Sequence, residues 1–94
     1  MRNTQAKRYA NYIKRNVYKK CGIKGNITFS PIFGYTFSLE LKDSTKIITK
    51  NEYDLYLVIV EKNSEYLVFD DFENSKFALK TILKYIGRTL CNQL

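Results

Sequence analysis

All nine carboxylates of this 94-residue chain fall between Glu40 and Glu73, and only Asp70, Asp71 and Glu73, with Asp54 upstream, come near to a cluster. Hard cations such as Mg²⁺ are held by one or two carboxylates with water completing the shell. The same acids precede an amphipathic stretch that opens at Ser75, where a helix N-terminus favours negative charge. Capping is the simpler role for them, and no metal and no cofactor are expected. There is no histidine. Its absence removes the usual general base, the Ser-His and Cys-His nucleophile pairs and most zinc sites. The four glycines are scattered, so no phosphate-cradling loop or dinucleotide fingerprint is present. Cys21 and Cys91 are too far apart for a ligand pair and too few for a disulfide framework, so free thiols are expected. No catalytic residue is expected, and the chain reads as a protein that binds rather than converts.

The chemistry that does stand out is cationic. The stretch "RYANYIKRNVYKK" at 8–20 interleaves arginines and lysines with Tyr9, Tyr12 and Tyr18 and contains no acid. The first 24 residues hold eight cations and no carboxylate, whereas 40–73 holds every acid against four lysines. Residues 74–94 are basic again, with Lys76, Lys80, Lys84 and Arg88 repeating every four positions around Phe77. Such asymmetry bears on partners, not on fold.

These cations must be positioned by helices. Ala6, Tyr9, Ala10, Ile13, Val17 and Cys21 recur at helical spacing. They predict a helix over 4–21 with Thr4 as N-cap and Gly22 as the left-handed stop. Opposite that apolar stripe lie Lys7, Arg8, Lys14, Arg15, Tyr18 and Lys19, the first half of a candidate partner-binding surface. Leu79, Ile82, Leu83, Ile86 and Leu90 define a second helix over 75–91, capped by Asn74 or Ser75. Its outer face carries Lys76, Lys80, Lys84 and Arg88, the second half of that surface. Between the helices, over 26–42, the period falls to two. Ile27 and Phe29 alternate with Thr28 and Ser30, and Pro31 and Gly34 interrupt the run as at a strand boundary, turn or bulge. Tyr35, Phe37, Leu39 and Leu41 alternate with Thr36, Ser38, Glu40 and Lys42, a half-buried strand. "KIITK" is a short strand, "LYLVIVE" at 55–61 an interior strand apolar on both faces, and "EYLVFD" its hairpin return. The expected fold is a single α+β domain over 1–94: a helix, an antiparallel sheet of four to five strands, and a helix, with both helices on one face of the sheet.

Two partial resemblances bear on function. Glu40-Leu41-Lys42 resembles the E-x-K of metal-dependent nucleases, but no acid precedes Glu40 to serve as the second carboxylate, so it reads as a strand end. The helix–strands–helix order with "SKFALK" at 75–80 is similar to double-stranded RNA-binding domains, in which lysines opening the last helix hold phosphates. That family's loop histidine has no counterpart here and the strand count is too high, so membership is not assigned.

The expected function is a small non-catalytic binding protein. It would engage nucleic acid, a nucleoprotein or an acidic protein surface through the basic first helix. Two alternatives stand beside it. Residues with AT-rich codons dominate the composition, which fits a phage or mobile-element inhibitor of the anti-CRISPR or anti-defence sort that binds a host protein. A toxin-type ribonuclease working without histidine is the third possibility. No apolar run reaches the ~20 residues of a membrane helix, and no secretory leader opens the chain. The expected compartment is therefore the cytoplasm, with no membrane and no small-molecule substrate.

Overall fold

The structure, a computed structural model, describes the backbone of residues 2–92 and the side chains of residues 4–87. Helix α1 spans Arg2–Cys21. The strands follow as β1 Asn26–Ser30, β2 Gly34–Glu40, β3 Lys46–Glu52, β4 Leu55–Lys62 and β5 Glu65–Phe72, and α2 closes with Ser75–Asn92. The five strands form one sheet in sequence order, each antiparallel to the next. Residues 55–60 lie within β4, an interior strand.

The turns explain this meander. The run over 26–42 breaks into two strands at Pro31-Ile32-Phe33. Ser30 Oγ accepts hydrogen bonds from the amides of Ile32 (3.2 Å) and Phe33 (3.3 Å). Gly34 adopts a φ of 72°, which costs glycine nothing. Asn63 and Ser64, at φ 54° and 66°, make the two-residue connection between β4 and β5. Positive φ at both central positions matches the right-handed twist of the flanking strands.

The register sets the two faces of the sheet. Phe37 pairs with Thr49 and Thr49 with Val58, while Leu39 pairs with Ile47 and Ile47 with Val60. Directly opposed residues share a face, so all six point the same way. Onto them α1 lays Tyr9, Ala10, Ile13 and Val17, and α2 lays Ala78, Leu79, Ile82 and Ile86, forming one buried cluster. Both helices therefore cover one face of the sheet. Fully burying each Ile or Val contributes roughly 1.5–3 kcal/mol.

Two details fix α1 on the sheet. A Cβ at Gly25 would stand 2.3 Å from the Phe37 ring, so only glycine lets the chain pass from α1 into β1 over this central side chain. Tyr9 and Thr49 form a buried hydrogen bond of 2.5 Å. Because the Thr49 hydroxyl donates to the Leu57 carbonyl, the Tyr9 phenol must donate to Thr49. Burial pushes the Tyr9 phenol up and so keeps it protonated as the donor.

Two local expectations need correction or completion. Thr4 is not the N-cap of α1. The helix already starts at Arg2, since neither a glycine nor a proline precedes Thr4 to stop it. Asn74, not Ser75, caps α2: its Oδ1 accepts from the Lys76 amide at 2.7 Å. Leu90 and Cys91 lie outside the described side chains, while Cys21 is a free, partly buried thiol whose pKa is raised by desolvation.

Candidate nucleic-acid interface

Neither helix contains an acidic residue, and neither is short of cations. The apolar stripe of α1 faces the sheet, so helical geometry turns its cations outward. Lys7, Arg8, Lys14, Arg15, Tyr18 and Lys19 are all exposed, as the sequence predicts. Tyr18 leaves 51% of its surface open. Among the described residues the ion pairs are Lys50–Glu52 at 3.6 Å and Lys62–Asp43 at 3.3 Å, both between sheet or turn residues. The described helix cations take part in neither.

One part of this surface is concave. Asn11, Lys14, Arg15, Tyr18 and Lys24 line an open groove of about 650 Å³. Lys7, Asn11, Lys14 and Tyr18 follow the i, i+4, i+7, i+11 spacing of one helix flank, and Asn11 Nδ2 donates to the Lys7 carbonyl at 3.0 Å. Lys24 comes from beyond the helix. The left-handed turn at Gly22, whose amide donates to the Tyr18 carbonyl at 2.8 Å, folds the chain back. The Lys24 ammonium then lies 5.7 Å from the Tyr18 ring centroid, a cation–π distance. Sequence reasoning counted Lys24 as charge but did not place it in the site. The stop signal at Gly22 was the clue that the chain reverses beside Tyr18.

The structure distributes the remaining expected residues differently. Arg8 and Lys19 lie on the outer crown of α1 rather than in the groove. Lys76, Lys80 and Lys84 are exposed on α2, which packs beside α1 on the same sheet face, so they extend the cationic layer without entering the groove. Arg88 lies outside the described side chains. Phe77, 59% exposed, sits among the α2 lysines.

The acids occupy the other layer. Across the open sheet face Glu40, Lys46 and Glu61 form one cross-strand row. Asp70 and Asp71 are consecutive in β5 and point to opposite faces of the sheet. Among the described residues no three potential ligands come together as a metal site. The open face also carries Ile48, Leu57 and Ile59, half-buried, and beyond them the exposed Phe69. Among the described residues no helix is long and apolar enough to cross a membrane.

Comparison with known protein families, with curated proteins and with solved structures finds no match for this chain.

Proposed function

We propose that this chain is a non-catalytic protein that binds nucleic acid along its helix layer, with the α1 groove as the principal contact. The observation that carries this reading is the outward-facing set of helix cations with no acid on either helix. Like charges spaced three and four residues apart on one helix repel one another, and a polyanion relieves that repulsion. Lys14, Arg15 and Lys24 would neutralise phosphates, releasing condensed counterions. Tyr18, already stacked under Lys24, offers a ring face to an unpaired base or a hydroxyl to a phosphate. Arg8, Lys19 and the α2 lysines would lengthen the track along the backbone.

The test is anisotropy of a labelled RNA or DNA oligonucleotide at low salt. Wild type should bind, and Arg8→Glu/Arg15→Glu/Lys19→Glu should lose binding while keeping its fold, because all three side chains are exposed. The RNA should remain intact throughout. An unaltered affinity of the triple variant would refute the reading, and cleavage of the RNA by purified protein would replace it with the ribonuclease alternative.

A further inference from the structure

Strand β5 is the last strand of the sheet, and on its outer side the next row of backbone N–H and C=O groups has no strand to pair with. Proteins usually blunt such edges with short strands, lysines, prolines or bulges. At eight residues, β5 is as long as interior β4 and contains neither lysine nor proline. A bulge is present: Val60 pairs with Val68 and Glu61 with Tyr66, leaving Leu67 as the extra residue. The bulge does not bury this edge. Tyr66, Leu67 and Phe69 keep 66%, 52% and 62% of their surface exposed, and the Tyr66 and Phe69 rings meet edge-on at 5.8 Å. Glu65, Asp70 and Asp71 lie on the same strand and Glu73 follows it, with no cation from residue 65 to 73.

That charge pattern selects the occupant. An antiparallel pairing of β5 with β5 of a second copy would set one acidic strand against another, and like charges directly opposed destabilise a sheet. The acids therefore guard against self-association while leaving the edge open to a cationic chain. We propose that β5 accepts an extended segment of a protein partner, rich in lysine or arginine and alternating with apolar residues, as a sixth strand. Main-chain hydrogen bonds to the free edge would supply affinity, as in other strand-addition complexes. The apolar side chains of the added strand would continue the Tyr66–Phe69 pair on the open face, and its cations, on the other face, would answer Glu65 and Asp70. This surface is separate from the helix layer, so it stands whether or not the helices bind nucleic acid.

A nine-residue peptide of alternating lysine and valine is the probe, titrated into the full chain and followed by amide hydrogen exchange. Protection should appear at alternate amides of β5 and not at the opposite edge strand, β1. The same peptide with every second amide N-methylated should fail to bind. Glu65→Lys/Asp70→Lys, two exposed positions on that face, should weaken the unmodified peptide about tenfold. Its fold can be checked by unchanged protection in β3 and β4, and if that check fails, the N-methylated peptide on wild type decides. Equal binding of both peptides would reduce β5 to a diffuse acidic attractor and overturn the proposal. So would absence of β5 protection, or β5 protection that rises with protein concentration when no peptide is present.

Discussion

Helix α1 and strand β5 are both surface elements of one layered domain, and they spend their side chains in opposite ways. α1 buries one face completely, with Ile13 and Val17 fully enclosed, and turns an uninterrupted cationic face outward. β5 buries little, exposes three large apolar side chains and carries only negative charge. The helix is held by its inner face and is free to use its outer face. The strand is held on one side by β4 and presents its other side, backbone included, to solvent. The difference teaches that charge in this molecule is segregated by layer: the helices carry cations alone, and the acids lie on the sheet and its turns.

The contrast can be broken at its strongest point first. Ile13→Ala removes a side chain at the centre of the contact between α1 and the sheet. It should lower stability by about 2–5 kcal/mol in urea unfolding. A loss under 1 kcal/mol would mean that α1 is not held by its inner face. Gly25→Ala drives a methyl into Phe37, and overpacking of this kind costs about 1–3 kcal/mol; a variant as stable as wild type would show that the approach of the chain to the core is loose. Tyr9→Phe leaves the ring packed and removes only the donor to Thr49, so thermal or chemical unfolding should report a loss of roughly 0.5–1.5 kcal/mol.

On the other side of the comparison, Phe69→Ala should shift stability by no more than about 0.5–1 kcal/mol, because that ring is already mostly in water. A larger loss would mean that the open face is a second core. The smallest expected effect is electrostatic. The Thr45 hydroxyl is the main hold on the Asp43 carboxyl below its ordinary value of 3.8, with the Thr45 amide and Lys62 adding to it against desolvation. A depressed folded value means that the contribution is fully present above the unfolded value and is lost as pH falls through the folded one. Acid unfolding should therefore shift slightly in Asp43→Asn, with no difference from wild type in pH dependence above about pH 5.

Much of this was legible in the sequence. The period-3.6 stripe of α1 and the period-2 alternation of Tyr35–Leu41 each specify a buried face, because burial is set by spacing. Placing α1 and α2 on one sheet face is the simplest packing of the pattern, and it leaves Thr36, Ser38 and Glu40 on the other face, toward solvent. "LYLVIVE" is apolar on both faces, so with both helices on one side, Leu57 and Ile59 had to face outward with no layer above them. Single-strand patterns do not display this, because exposure is a property of the assembled sheet. Lys24 was missed for a similar reason: a helical wheel ends with the helix, and the groove is completed by the residue that follows the turn. The split of 26–42 into two strands was legible in Pro31 and Gly34, whereas the hydrogen bonds that Ser30 accepts were not, because they act only once the hairpin closes.

The central claim is that the groove on α1 contacts phosphates, and the salt dependence of binding tests it most directly. The affinity of wild type for a labelled duplex should fall linearly on a plot of log K against log salt. Each phosphate contact on B-DNA contributes about 0.9 to the slope. Lys14→Gln/Arg15→Gln/Lys24→Gln should therefore flatten the slope by roughly 2–3 and weaken binding at every salt concentration. Equal slopes and equal affinities for wild type and the neutralised variant would contradict the account.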